Sequence, residues 1–276
     1  MTTTLGIDCS HWQNDKSTPQ KMGFTIAKDA GAKFVFIKVS ERGGIDQDFE
    51  YNWQAAKEAG MPRGGYHFLR WDLPATTQAR VFCACLAGDP GELPPVADFE
   101  APAKDGKYPS NAMLLQFLEE VENILGRRPM IYTSPGYWKS HGNNKTTGRP
   151  DSFWSIYPLW VAHYGVSAPT VPAPWVDWLF WQYTATGSGF KYGAESKGID
   201  LNLFNGSEFD LDTLILKTTG RSSLQGQGAE TPAEPRPQGA GSEGANQDHY
   251  LQSQIDILAK HLKNIEDFLT GFKLPS

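Results

Sequence analysis

Short, nearly continuous apolar runs alternate with longer mixed segments through the first half of the chain. Leu5-Gly6-Ile7-Asp8 predicts a first strand ending on a carboxylate. Lys33-Phe34-Val35-Phe36-Ile37-Lys38-Val39 predicts a second, apolar enough for a parallel strand covered on both faces. Gly64 to Phe68, Leu93 to Glu100 and Pro129 to Thr133 continue the series. Between them the pattern predicts helices over 19–31, 49–59, 76–87 and 110–125, several closed by a glycine. Strand and helix thus alternate at the spacing of βαβ units. The last three strands, Pro158 to Tyr164, Trp178 to Tyr183 and Gly198 to Asn202, lack connections with a helical pattern. The expected fold is α/β, a TIM-like barrel of five β/α units followed by three strands of more antiparallel character. This barrel domain occupies residues 1–219.

The pattern then changes twice. Residues 220–246 are rich in Gly, Ser, Gln, Glu, Ala and Pro, the composition of a flexible linker. In residues 247–276 the apolar positions Leu251, Ile255, Leu258, Leu262, Ile265, Leu269 and Phe272 recur at alternating spacings of four and three. That spacing predicts an amphipathic helix with a coiled-coil seam, which needs a partner in water. Self-association into a homo-oligomer is the expected use.

Composition narrows the function classes. A net charge of −6 gives no electrostatic argument for nucleic acid or an anionic membrane. No apolar run is long enough to span a bilayer. Nine Trp and ten Tyr exceed what a core needs and suit stacking on sugar rings. Three cysteines, Cys9, Cys83 and Cys85, are an odd number, and the last two do not face each other on a helix. No disulfide framework is expected. Residues 1–20 show no basic start followed by an apolar run, so no secretory signal peptide is expected. The expected location is a host cytoplasm until release to the cell wall, with a virion-associated protein as the variant.

The candidate chemistry lies in carboxylates. Asp98 and Glu100 are two apart on one short strand, so both point to one face. Asp8 and Asp200 end the predicted strands one and eight. In an α/β barrel such ends meet at one mouth. Crowded carboxylates resist ionising together, so one can stay protonated and act as a general acid. Aromatic residues fall at the same ends: Trp12, Tyr66, Tyr132, Trp160, Trp181 and Tyr183 are the candidate sugar-binding set. No zinc spacing, phosphate-binding glycine loop or nucleophile elbow is present, and no cofactor or metal is expected.

These pieces resemble a known family. Gly6-Ile7-Asp8-Cys9-Ser10-His11-Trp12-Gln13, Phe34 to Glu41, Gly65-Tyr66-His67-Phe68, Pro95 to Glu100, Ile131-Tyr132-Thr133, Leu159-Trp160-Val161-Ala162, Trp181-Gln182-Tyr183 and Gly198 to Asn202 stand in the order seen in the glycoside hydrolase family 25 lysozymes, the Chalaropsis-type muramidases. The resemblance implies hydrolysis of the β-1,4 bond between N-acetylmuramic acid and N-acetylglucosamine in bacterial peptidoglycan, without a metal. It implies Glu100 as proton donor and Asp98 as the second carboxylate, either a nucleophile or a group steering the substrate acetamido. Asp8 and Asp200 match supporting acids, and Tyr66 and Trp160 match substrate-lining aromatics. With no signal peptide expected, the chain looks like a phage endolysin. The alternatives are a non-catalytic wall-glycan-binding module, a virion-assembly protein organised by the terminal helix, and a chitinase-like barrel.

Overall fold

The structure is a computed structural model that describes residues 2–14, 21–100, 106–142 and 147–220. The linker and terminal helix expected over 220–246 and 247–276 lie outside the described residues, Gly220 apart. The strands are β1 (Thr4–Cys9), β2 (Val35–Glu41), β3 (Gly44–Ile45), β4 (Arg63–Phe68), β5 (Val96–Asp98), β6 (Met130–Thr133), β7 (Leu159–Ala162), β8 (Phe180–Ser188) and β9 (Gly198–Phe204). Their order is β1-β9-β8-β7-β6-β5-β4-β2, with β3 a short hairpin addition to β2. Pairing of β1 with β2 closes eight of them into a barrel.

The direction of the last strands differs from the sequence expectation. β7 and β8 run parallel to their neighbours in the series. Of the eight barrel strands only β9 is antiparallel, and it pairs so with both β8 and β1. A parallel partner needs a crossover of about a dozen residues, which need not be helical. Residues 163–179 supply that length as turns, pinned where Trp175 donates its indole N–H to the Tyr157 carbonyl at 2.7 Å.

The helices are α1 (Phe24–Asp29), α2 (Phe49–Glu58), α3 (Ala75–Cys85), α4 (Asn111–Leu125), the single turn α5 (Pro135–Tyr137) and α6 (Glu208–Thr219). The hydrophobic pattern did not single out α6. Its caps are nevertheless written locally: the Ser207 side chain accepts from the Asp210 amide, the Asp210 carboxylate accepts in return from the Ser207 backbone N–H, and Gly220 takes the left-handed conformation. The three cysteines are unpaired.

Alternation along the strands builds two apolar layers. Outward positions such as Val35, Ile37, Ala97, Phe99, Ile131 and Val161 pack in the layer shared with the helices. Inward positions Phe34, Phe36, Val96, Met130, Trp160 and Phe180 fill the barrel. Two inward glycines make this filling fit. A Cβ on Gly6 would lie 2.4 Å from the Phe34 ring, and one on Gly64 would lie 2.3 Å from Phe36. The aromatic plug therefore occupies the barrel beneath the strand ends.

The consequence for function is positional. The next inward residue along each parallel strand, two positions on, stands above the plug. Gly6 leads to Asp8, Phe36 to Lys38, Gly64 to Tyr66, Val96 to Asp98, Met130 to Tyr132 and Phe180 to Gln182. On the antiparallel β9 the same step runs backwards, from Phe204 to Asn202 and Asp200.

Candidate active site

Above the plug lies a cavity of about 260 Å³. Asp8, Asp98, Glu100 and Asp200 all line it, with Trp12, Tyr66, Tyr132 and Trp160. Three of the carboxylates stand on strands, Asp8 on β1, Asp98 on β5 and Asp200 on β9, and Glu100 lies two residues beyond Asp98. Trp181 and Tyr183 are absent from the wall, which corrects the sequence expectation. Both point outward from β8, where they pack on the helix-facing layer, while Gln182 between them points in. Trp181 spends its indole N–H on the His163 carbonyl at 2.8 Å. The sequence placed the right strand and the wrong face. Lys38, Phe68, Tyr164, Gln182, Ser10 and Gln13 also line the cavity. The signal for Lys38 and Gln182 was available, since each keeps inward parity with a plug aromatic.

Of the four cavity carboxyls, Asp8 accepts the most hydrogen bonds. Its Oδ2 accepts from Gln182 Nε2 at 2.7 Å and from Asn202 Nδ2 at 2.8 Å. Asn202 is itself oriented by the Trp160 indole, which donates to its Oδ1 at 2.9 Å. Gln182 Oε1 accepts from the Tyr132 hydroxyl at 2.7 Å and also from the Tyr164 hydroxyl. Trp160 is thus a buried floor whose edge holds the network and whose face stacks on Phe36 at 4.3 Å.

Asp8 and Asp200 stand opposite each other in the β1–β9 ladder and share a hydrogen bond. Burial pushes Asp8 up to about 6, against the lowering effect of its two amide donors and Asp200. Asp200 rises further, to about 8, through burial and then the Asp8 charge. Asp8 has two amide donors for its charged form, so the shared proton sits on Asp200.

Asp98 is held well above the usual carboxylate range, first by burial and then by Glu100. Its Oδ1 is buried without a hydrogen-bond partner. Burial and the Asp8 charge raise Glu100 as well, against the lowering effect of the Tyr132 hydroxyl that faces it. Lys38 is the buried cation of the wall, 7% exposed, with its ammonium 2.6 Å from Glu41 Oε2. Arg70 holds the other Glu41 oxygen at 2.5 Å. Burial raises Glu41, but these two cations outweigh it and bring the carboxyl below its ordinary value.

At the rim, Trp12 is 69% exposed beside the acids. Its loop is a single 3-10 turn, His11–Gln13, closed by Ser10 and Gln13 bonding reciprocally. The turn is clipped to the loop between β3 and α2, where His11 Nδ1 lies 2.6 Å from Asp46 Oδ2 and its ring is 4.5 Å from that of Trp12. An exposed indole held this way is a ready stacking platform.

A closed α/β barrel with buried acids crowded under an aromatic rim is the architecture of a glycoside hydrolase. Residues 7–190 match the family described as "Glycosyl hydrolases family 25". Lysozyme M1 of Streptomyces globisporus is 36% identical over 230 residues, covering 77% of this chain and 71% of that protein. The N,O-diacetylmuramidase of a Chalaropsis species is 31% identical over 233 residues, covering 79% and 100%. The crystal structure of a bacterial lysozyme from Streptomyces coelicolor superposes with a TM-score of 0.65 at 33% identity, over 79% of this chain and 99% of that one. The chain belongs to family 25 of the glycosyl hydrolases.

Proposed function

We propose that the protein is a lysozyme that hydrolyses the β-1,4 bond between N-acetylmuramic acid and N-acetylglucosamine in bacterial peptidoglycan. The observation that carries the reading is the convergence of Asp8, Asp98, Glu100 and Asp200 on one aromatic-rimmed cavity in a family 25 chain. The names of the relatives, lysozyme and N,O-diacetylmuramidase, point to the same substrate.

In this reading Glu100 is the proton donor. Burial and the Asp8 charge raise its proton affinity, the direction a general acid for the glycosidic oxygen needs. Asp98 is the second carboxylate. Its unpartnered buried Oδ1 suits acceptance of the substrate acetamido N–H, which turns the acetamido oxygen toward the anomeric carbon. The bond from that carbon to the leaving oxygen breaks as Glu100 delivers its proton and the acetamido oxygen takes the carbon. Water then adds to the carbon, the acetamido group is released, and Glu100 recovers a proton from that water. Asp8 and Asp200 hold the floor network rather than the scissile bond. Trp12 and Tyr66 form the sugar-facing walls, over the floor made by Trp160.

The test is Glu100→Gln. Turbidity clearing of purified walls and release of new muramic reducing ends should both fall by at least about 100-fold, the smaller effect of a lost general acid. Folding and wall binding should persist. Near-normal lysis by that variant overturns the assignment, and release of free peptide amines in place of reducing ends overturns the reaction.

A further inference from the structure

Two buried carboxylates stand outside the cavity wall. Asp46 and Asp48 lie in the short loop between β3 and α2, 7% and 4% exposed. A buried acid needs partners, and theirs show where each is used. Asp46 Oδ1 accepts from the Asp48 amide at 3.1 Å, a bond within its own loop, and from the His11 amide at 3.1 Å. Its Oδ2 is committed to the His11 imidazole at 2.6 Å. Asp48 stands at the N-cap of α2 yet gives that helix no side-chain bond. Its Oδ2 accepts instead from Asn14 Nδ2 at 3.0 Å, and its Oδ1 from Lys21 Nζ at 2.9 Å. An N-cap acid that forgoes its own helix gives up a stabilising contact. Both acids thus reach across to the turn that carries Trp12 and to Asn14, which closes it.

The same turn is held on its other side. The Gln13 carbonyl accepts from the Glu195 and Ser196 amides at 3.0 and 3.3 Å, in the loop between β8 and β9. Those bonds fix the backbone of the turn. The indole has one ring neighbour among the described residues, the His11 imidazole, with centroids 4.5 Å apart and planes tilted by 37°. Asp46 in turn is anchored to the barrel. Its amide donates to the Val39 carbonyl on β2 at 2.9 Å, and its own carbonyl accepts from the Phe49 amide at the start of α2 at 3.0 Å.

We propose that Asp46 and His11 are positioning residues for substrate binding: Asp46 locks the imidazole, and the imidazole props the exposed Trp12 indole in the pose that stacks on a sugar ring. Asp48 supports the same turn by holding Asn14. Neither Asp46 nor His11 is among the residues lining the cavity, so both act through Trp12. A side chain already held in its bound pose loses less freedom when the glycan arrives. A stacking contact made equally in ground and transition states affects binding and leaves the chemical step alone. The inference rests on Trp12 as a sugar-facing wall of the proposed lysozyme.

The experiment measures KM and kcat on soluble glycan-chain fragments for the wild type, His11→Ala, Asp46→Ser, Trp12→Ala, and each of the first two variants combined with Trp12→Ala. His11→Ala removes the prop and keeps the backbone amide that Asp46 Oδ1 accepts. Asp46→Ser leaves a hydroxyl to accept from the Asp48 amide, as Ser does in such turns, and removes the oxygen that holds the imidazole. Each single variant should raise KM about fivefold with kcat unchanged, the scale of ordering one freed side chain on binding. In the Trp12→Ala background neither should add to KM. An unchanged KM in His11→Ala or Asp46→Ser, or a fall in kcat in place of the rise in KM, overturns the clamp. So does a full additional rise in either double variant, since the effect then bypasses the indole. Equilibrium binding of the same fragments in a Glu100→Gln background separates the two ideas. If Glu100→Gln abolishes lysis while His11→Ala leaves that binding unmoved, the clamp alone fails. If Glu100→Gln is active, the donor assignment fails, and an about fivefold loss of binding in His11→Ala still supports the clamp.

Discussion

The shared proton of Asp8 and Asp200 makes stability depend on pH in a direction opposite to that of a salt-bridged carboxylate. Asp200 binds its proton with a value of about 8 when folded, against an ordinary 3.8. Between those limits the folded chain holds more protons at this site than the unfolded chain. Stability from Asp200 is therefore greatest below the ordinary value and declines as pH rises to about 8. His67 acts with the opposite sign. Burial lowers it to about 4 from 6.5, so the folded imidazole stays neutral and stability rises with pH across that interval. The two trends oppose each other below 6.5, and above it His67 no longer offsets the acid. Each pH unit carries about 1.4 kcal/mol for one fully titrating group, so the interval from 6.5 to 8 should lose about 2 kcal/mol through Asp200. Solvent at the cavity mouth reduces this to between about 1 and 2 kcal/mol. For a barrel of this size that is a fall in Tm of about 2–8 °C. Asp200→Asn keeps a donor toward Asp8 and removes the titration. Its Tm measured by calorimetry in steps from pH 6.5 to 8.5 should fall less steeply than that of the wild type by that amount. It should exceed the wild type at the alkaline end, at the expense of lytic activity. Parallel Tm curves for the two proteins would refute the shared proton. A wild-type Tm that rises through the interval would refute the sign as well.

Two further perturbations probe separate parts of the molecule. Arg63 is fully buried and meets both oxygens of Asp89, both of Glu92, the Trp53 carbonyl and the Trp53 ring. Arg63→Met should cost about 3 kcal/mol by stranding two carboxylates, seen in urea unfolding. The residue sits at the start of β4, far along the strand from Tyr66 and Phe68, so kcat below the unfolding range should be unchanged. Trp12→Ala should raise KM about tenfold with kcat nearly constant, the loss of a stacking contact of about 1.4 kcal/mol in ground and transition states alike. A large fall in kcat would place the indole nearer the reacting bond than its rim position implies.

Much of the barrel was legible because β1, β2 and β4 to β6 follow a simple rule. Apolar runs such as Phe34 to Val39 can only be covered on both faces, and helix-length segments between them force parallel crossovers. Carboxylates at the ends of such runs must then share a mouth. Other features were hidden by the same physics. Trp181, Gln182 and Tyr183 are consecutive, and sequence chemistry favours the aromatics as sugar contacts. A strand's period of two allows only one parity inward. The parity of β8 is set by its register on β7, which pairs Val161 with Trp181 and Ala162 with Gln182.

Local patterning along the chain was enough for the α/β barrel class and for carboxylates at strand ends, because both depend on which runs are apolar, how far apart they stand, and which residues end them. The folded barrel alone set the direction of β7 and β8, the outward turn of Trp181 and Tyr183, and the partners of every acid. Asp8 and Asp200 are 192 positions apart along the chain, and nothing local to either indicates a shared proton. That sharing exists because β9 closes the barrel beside β1 and sets the two carboxyls opposite each other in the ladder, above a plug that excludes water.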